Sequence, residues 1–371
     1  MPADTLTYDA IPPIAWEKYH KALASCPMVR LTGSILKVTG LVAEANGPRL
    51  SVGSICDIED NQGAKIAAEV IGFNEKNIIL MPFGEMGGIR PGSRTLAVSD
   101  TPDVPVGESF LGRVVDGMGR PIDDKDALVP KTTYPVYGSV LNPMKRKVVH
   151  EVMDVGVSAI NAMVTVGKGQ RMAIMAGSGV GKSVLMGMIA RNTAADVIVI
   201  GMIGERGREV REFIERSLGE EGLKKSVVVV ATSDAPPLVR IRGAYTATAL
   251  AEYFRDQGKD VLLIMDSITR FAMSMREVGL AVGEPPSAKG YTPSVFGRIP
   301  KLLERAGILE QGGSITGIYT VLVEGDDMNE PVADTVRSIT DGHIVLSRTI
   351  AQKGHYPAVD IPASISRVMN D

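Results

Sequence analysis

The segment from Ala176 to Ser183, AGSGVGKS, has the residue types and spacing of a phosphate-binding loop, although Ala176 stands where the commonest pattern has glycine. Its glycines let backbone N–H groups turn inward around phosphate oxygens. Lys182 supplies a cation and Ser183 a hydroxyl for Mg²⁺. The alternative is a strand-to-helix turn with an accidental lysine. We favour a site that hydrolyses ATP and expect these residues to bind it: Gly177, Ser178, Gly179, Val180, Gly181, Lys182 and Ser183.

Apolar segments that read as buried parallel strands lie before this loop and at two later points of the chain. Residues 171–175 precede the loop, residues 197–203 lead to Glu205, and residues 261–265 end in Asp266. Because the carboxyl ends of parallel strands meet at one edge of a sheet, we expect both carboxylates to lie near the loop. The sequence therefore predicts a nucleotide site with two acidic groups.

Each acidic position has a functional interpretation and a plainer one. Asp266 is predicted to bind Mg²⁺, directly or through water, although aspartate also caps many strands. Glu205 is predicted to polarise the attacking water, with Arg206 holding it or contacting phosphate. The plainer alternative for Glu205 and Arg206 is the start of a solvated charged helix, which we prefer only for residues 208–216, where the charges alternate in sign.

Composition argues against several other classes of protein. The chain has 371 residues, a net charge of −3 and 5% aromatic residues, so it lacks the basic and aromatic surface typical of an RNA translocase. Its two cysteines and four histidines show no metal-site spacing. The amino terminus lacks the pattern of a secretory leader, and no apolar run is long enough to cross a membrane. We expect a cytoplasmic protein.

Hydrophobic patterning divides the chain into three parts. Residues 1–26 form an extension with an amphipathic stripe, which either packs on its own domain or binds a partner. Residues 27–95 contain short alternating segments typical of a small β-barrel, and a proline- and glycine-rich passage at 91–121 links it to the rest. Residues 96–371 alternate strands and helices, which predicts an α/β domain with a parallel sheet. The stretch 284–293 is predicted to be an irregular loop.

Several longer stretches resemble one known family. GERGREV, DSITRFA, PPSAKGYTPSVF and YPAVDIPASISR are similar to the catalytic subunits of rotary ATPases. Residues 231–273 and 319–348 most closely resemble the type III secretion ATPases, above all those of flagellar protein export. The resemblance covers about residues 25–371. It implies a RecA-like motor domain with a parallel sheet, preceded by a barrel that holds a ring together.

The resemblance also implies roles for the residues around the loop. Lys182 and Ser183 match the phosphate and magnesium residues of the family. Glu205 matches the water-activating carboxylate, with Arg206 as its neighbour, and Asp266 matches the strand-end aspartate.

Two residues near the end of the chain have roles only through the resemblance. Tyr356 matches the aromatic residue that stacks on adenine, and Arg367 matches an arginine finger that reaches the neighbouring subunit's site. By themselves these two residues would be an ordinary tyrosine and a surface arginine.

Partners and alternatives follow from the same family. The resemblance implies a homohexamer, a stator-like regulatory protein at the N-terminal segment, a central-stalk protein that meets the 284–293 loop, export chaperones and substrates, and an export gate at the inner membrane. Relatives continue after the position of Asp371 into a helical C-terminal domain, and we expect that domain to be absent here. An injectisome secretion ATPase, a nucleotide-holding ring subunit without activity and an RNA translocase are the alternative functions.

Overall fold

The N-terminal part of the structure is a closed six-stranded β-barrel with strand order β1-β2-β5-β4-β3-β6. The computed structural model describes residues 16–25, 31–323, 325 and 327–368. Residues such as Ile35, Ile58 and Leu80 fill the barrel interior and are almost fully buried. The predicted barrel is confirmed. Its strands are β1 (Thr32–Thr39), β2 (Val42–Ala45), β3 (Ile55–Glu59), β4 (Lys65–Asn74), β5 (Asn77–Pro82) and β6 (Arg94–Ser99).

The larger part contains a nine-stranded sheet and a separate two-stranded ribbon. The strands are β7 (Asp103–Val106), β8 (Arg113–Asp116), β9 (Thr132–Pro135), β10 (Arg171–Ala176), β11 (Val197–Ile203), β12 (Ser226–Ala231), β13 (Asp260–Asp266), β14 (Gly307–Ile308), β15 (Ser314–Leu322), β16 (Gly342–Leu346) and β17 (Val359–Ser366). The sheet order is β17-β16-β10-β15-β13-β11-β12-β8, with β14 beside β15, and β7 pairs with β9. Among the sheet strands described, β14 and β17 run antiparallel to their neighbours and the others pair in parallel.

Helices cover both faces of this sheet. The helices of this part are α2 (Ser158–Met163), α3 (Lys182–Asn192), α4 (Gly207–Glu212), α5 (Gly219–Lys224), α6 (Pro237–Asp256), α7 (Ile268–Ala281), α8 (Pro293–Leu303), α9 (Pro331–Ile339) and α10 (Arg348–Gln352), whereas α1 (Trp16–Ser25) precedes the barrel in the chain. Alternate residues of β13 enter different cores: Leu263 packs with α6 to α9, and Leu262 packs with α3 and its neighbours. The predicted α/β motor domain with a parallel sheet is confirmed. Among the residues described, none of these helices has the length and apolar character needed to cross a membrane.

The passage at 91–121 is more regular than a linker. It contains β6 of the barrel, β7 and β8. β8 forms the edge of the large sheet, where Val114 pairs with Val228 of β12. Strands of four residues between glycines and prolines carry too little periodicity to be recognised, and their pairing partners are distant in sequence. The passage that links the barrel to the rest of the chain thus contains three strands that local patterns do not reveal.

Two further predictions concern short segments. In the N-terminal stripe, Trp16 and Tyr19 are 63% and 56% exposed, so these two side chains do not pack on the domain as one alternative expected. The helix that carries them has only ten residues. Residues 1–15, with the first part of the stripe, lie outside the described residues. The 284–293 stretch contains a single 3₁₀ turn, Ala288–Gly290, before α8 begins at Pro293.

Candidate active site

The loop after β10 has the expected strand–loop–helix setting. β10 ends at Ala176 and α3 begins at Lys182. Gly181, the residue before this helix, has φ 92°, a left-handed conformation that favours glycine. The free N–H groups of the first turn of α3 therefore point toward the space above the loop, where an anionic group would bind.

Parallel register brings the two predicted carboxylates to the same edge of the sheet as the loop. Asp266 ends β13 and pairs with Met202 of β11, and Glu205 follows that strand by a few residues. On the other side, β15 lies between β13 and β10. The sheet thus places the loop and both acidic side chains at its carboxyl edge, as the apolar runs predict.

Lys182 connects the phosphate loop to both carboxylates. Its Nζ donates hydrogen bonds to Asp266 Oδ1 and, at 3.3 Å, to Glu205 Oε1. All three side chains are buried or nearly so. Burial disfavours the ammonium, but the charges of Asp266 and Glu205 outweigh it, so the pKa of Lys182 lies above its ordinary value. Lys182 is therefore a fixed cation at the base of the loop, held by two anions.

Thr320 is a site residue that the sequence patterns do not single out. Its hydroxyl donates a 2.6 Å hydrogen bond to Asp266 Oδ1, and its side chain is buried in β15. This bond and the Lys182 ammonium together fix the orientation of the Asp266 carboxylate. A threonine in an apolar strand next to the Asp266 strand is the only signal in the sequence, and it appears only once strand order is known.

Glu205 is positioned by tight packing around the residue before it. Gly204 has φ 75°, and a side chain there would lie 2.7 Å from Cβ of Arg270. The carbonyl of Glu205 accepts a 3.0 Å hydrogen bond from the N–H of Ser233. Only glycine fits at position 204 beside Arg270. Its left-handed backbone conformation turns the chain after β11, and this turn brings Glu205 into the site.

Arg270 is a second site residue that the sequence patterns do not single out, although it belongs to the DSITRFA stretch. It lies in the first turn of α7 and lines the cavity above the loop. Its Nε is buried and has no hydrogen-bond partner among the described residues. An orphaned guanidinium N–H at the wall of an anion-binding cavity is suited to a phosphate oxygen.

Arg206 lies at the rim of the same cavity. Its Nη1 is 3.7 Å from Glu209 Oε1, and its side chain is 79% exposed. The cation that contacts Glu205 is therefore Lys182, and Arg206 pairs only weakly, with Glu209 of the helix that follows it. A contact between Arg206 and phosphate stays a prediction.

The cavity above the loop has a volume of about 730 Å³, enough for a nucleotide. Val180 is only 1% exposed and packs into the core. Asp266 is equally buried and meets the cavity through Lys182. Arg348, at the start of α10, also lines the cavity. Of the predicted binding residues, those that line it are Gly177, Ser178, Gly179, Gly181, Lys182 and Ser183.

Tyr356 lies beside the phosphate loop, against Gly181, which lines this cavity. Its ring packs over Gly181, where a methyl group would be 3.3 Å from the Cδ1 and Cε1 atoms of the ring. The side chain is still 56% exposed. An aromatic face beside the phosphate loop and open to solvent is suited to stacking on a base.

Arg367 lies far from its own loop. β17 runs antiparallel to β16, so Val359 pairs with Leu346 at the loop edge and Ser366 pairs with Gly342 at the opposite edge. The intervening five-residue strand spans roughly 16 Å. The structure thus separates Arg367 from the other predicted site residues within one chain.

The residues at the loop are suited to Mg²⁺. This ion prefers oxygen ligands and is commonly held by one or two carboxylates together with phosphate oxygens. The Ser183 hydroxyl at the cavity and the Asp266 carboxylate at the same sheet edge are ligands of that kind. The donor set therefore fits the magnesium that the resemblance implies.

Comparisons with known proteins identify the family of both parts of the fold. Residues 35–96 match the β-barrel domain of the ATP synthase alpha/beta family, and residues 156–366 match its nucleotide-binding domain. The chain is 53% identical to the flagellum-specific ATP synthase of Pseudomonas aeruginosa, over 95% of this chain and 79% of that protein. For the flagellum-specific ATP synthase of Bacillus subtilis the identity is 58%, over 91% of this chain and 78% of the relative.

Solved structures give the same result. The assembled ATPase EscN from the type III secretion system of enteropathogenic E. coli superposes with a TM-score of 0.86 and is 48% identical. The match covers 91% of this chain and 81% of EscN. EscN in complex with its central stalk EscO gives a TM-score of 0.84. The chain is therefore a P-loop ATP hydrolase of the ATP synthase alpha/beta family, in the branch of the flagellar and type III secretion ATPases.

Proposed function

We propose that the chain is the ATP hydrolase of a flagellar protein export apparatus and works as a hexameric ring on Mg-ATP. The observation that carries the proposal is the position of Lys182, which lines the cavity together with Glu205 and also contacts the buried Asp266. The identity with two flagellum-specific relatives supports the flagellar assignment. A lysine and a catalytic carboxylate together argue against a nucleotide-holding subunit without activity.

The catalytic roles at the loop follow from charge and position. Lys182 and the loop N–H groups would hold the phosphates, and Glu205 would orient the attacking water. Ser183 and Asp266 would hold Mg²⁺, which neutralises charge that develops on the phosphate oxygens.

Three arginines would add positive charge around the transferred phosphate. Arg206 would contact it from the rim of the cavity and Arg270 from the wall, where its Nε is available. Arg367 would complete the site of the neighbouring subunit. Each nucleotide would then be bound by two chains.

We expect turnover per subunit to rise steeply with protein concentration. An interface site works only when a neighbour supplies Arg367, and the roughly 16 Å between this residue and its own loop prevents self-completion. The measurement is Mg-ATP hydrolysis per subunit from well below to well above micromolar chain, with sedimentation of the same samples to record assembly. Phosphate release at the same low rate per subunit in monomers and in assembled samples would contradict a shared site.

Tyr356→Ala should weaken the binding of ATP and ADP equally. Stacking of a base on an aromatic ring is worth about 1–3 kcal/mol, which corresponds to about 5- to 150-fold in Kd. Tyr356→Phe, which keeps the ring over Gly181, is the matched control and should bind normally. Fluorescent-nucleotide titration measures both variants. Unchanged affinity in the alanine variant would remove Tyr356 from the site.

The partners belong to the same proposal. The exposed Trp16 and Tyr19 on α1 suit a stator-like regulatory protein. The 284–293 loop would meet a central stalk, as supported by the complex of EscN with its stalk EscO. Export chaperones, their substrates and a gate at the inner membrane complete the set. With these partners the chain would work in the cytoplasm, attached peripherally to the inner membrane.

An injectisome ATPase is the second candidate, favoured by the 48% identity to EscN. The chemistry would be identical and only the exported proteins would differ. Deleting the gene in its native host separates the two: loss of flagellar filaments supports the first assignment, and loss of injectisome secretion with normal filaments supports the second.

A further inference from the structure

A group of charged residues lies at the sheet edge opposite the phosphate loop. Arg171 is the first residue of β10, and Asp341 directly precedes β16. The Arg171 guanidinium forms a bidentate salt bridge with Asp341, with Nη2–Oδ1 at 2.9 Å and Nε–Oδ2 at 3.1 Å. Its remaining nitrogen, Nη1, donates to Glu304 at the end of α8. The Arg171 and Asp341 side chains are only 14% and 22% exposed.

The backbone of Asp341 connects this pair to the segment that carries Arg367. The Asp341 carbonyl accepts a 2.9 Å hydrogen bond from the N–H of Arg367, and its own N–H donates to the carbonyl of Arg171 at 2.8 Å. The residue before Arg171, Gln170, donates from Nε2 to the Ser366 hydroxyl at 3.0 Å. The start of β10 therefore holds the end of β17 at two adjacent positions.

We propose that Arg171 is a positioning residue for Arg367, acting through Asp341 to hold the arginine finger where it reaches the neighbouring subunit's phosphate. The proposal rests on the role of Arg367 under the proposed function. The planar fork of arginine fixes the carboxylate in one orientation, which a lysine ammonium does not do. A displacement of about 1 Å at a reacting group can cost about 10²-fold in rate, so a small shift of Asp341 is sufficient.

The competing explanation is that Arg171 only stabilises β10, which ends at the phosphate loop of its own subunit. The two explanations differ in which subunit of a ring is affected. Positioning of the finger acts on the neighbour's site, whereas a distorted β10 acts on the subunit's own site. Mixed rings separate these effects.

The experiment combines two inactive chains. Lys182→Ala chains keep Arg367 but lack a working loop, and Arg367→Ala chains keep the loop but lack the finger. Turnover in the mixture comes from loops of the second chain completed by fingers of the first. Arg171→Met is then placed on either chain, and Arg211→Met, an exposed arginine on α4, is the matched control. Sedimentation and thermal unfolding of each mixture record assembly and folding.

With Arg171→Met on the finger-donating chain, we expect mixed-ring turnover to fall about 10- to 100-fold. The same change on the loop-donating chain should leave turnover within about a factor of two of the Arg211→Met control. Equal loss on both chains, loss on the loop-donating chain alone, or no loss would overturn the proposal. If Arg171→Met fails to fold, Arg171→Lys takes its place and is judged in the same way.

Failure of the proposed function gives a different result. If the Lys182→Ala and Arg367→Ala chains co-assemble and show no turnover before any change at Arg171, Arg367 is not a finger acting between subunits. That outcome overturns the assignment of Arg367 and the inference on Arg171 with it.

Discussion

Arg367→Ala should lower Mg-ATP turnover by about 10³- to 10⁵-fold, the range for an arginine finger supplied by a neighbour. The guanidinium would neutralise charge that develops on the transferred phosphate, and no water molecule replaces that effect. The backbone bond from Arg367 to Asp341 does not involve the side chain, so the β17 end should keep its place. Steady-state turnover of assembled chain, at saturating nucleotide, measures the effect.

Arg337→Ala is the control for this prediction. Arg337 lies on α9 and pairs with Asp334 at 2.8 Å. Removing it changes the net charge by the same amount as Arg367→Ala, so it should leave turnover near that of the unaltered chain. An Arg367→Ala ring that hydrolyses ATP at the normal rate would exclude the finger role.

Glu205→Gln should keep nucleotide binding and lower turnover by about 10²- to 10⁴-fold, the usual contribution of a general base. Glutamine has nearly the same shape, and its amide oxygen can still accept the 3.3 Å hydrogen bond from Lys182. It cannot take a proton from water. ATP affinity and steady-state turnover, measured on the same preparation, separate the two effects.

Two further variants test the specificity of the Glu205 result. Lys182→Ala removes the cation of the loop and should lose nucleotide binding as well as turnover. Glu212→Gln changes an exposed carboxylate of α4 and should change neither. Normal turnover by Glu205→Gln would show that another group activates the water.

Local sequence patterns predicted the parts of the site that depend on neighbouring residues in the chain. The strand, loop and helix around Lys182 follow from apolar runs and glycines within a short window, and the strand that ends at Asp266 follows from a similar run. Parallel sheets collect the carboxyl ends of their strands at one edge. That rule alone places Glu205 and Asp266 near the loop.

Other features depend on which segments, distant in sequence, pack together, and local sequence patterns do not indicate these contacts. Thr320 reaches Asp266 because β15 lies beside β13, and β8 joins the large sheet because it pairs with β12. The orphaned Arg270 N–H appears only after α7 packs against Gly204. Strand order and register decide all of these contacts.

The sequence by itself determined the chemistry of this protein: a phosphate loop, a cation, two carboxylates and the family that combines them. Tertiary structure decided the geometry. It brings both carboxylates to Lys182, places the ring of Tyr356 over Gly181, and separates Arg367 from its own loop. Residue types set what a side chain can do, whereas long-range strand pairing sets which side chains meet. The Arg171–Asp341 pair joins residues 170 positions apart, a separation at which no local pattern acts.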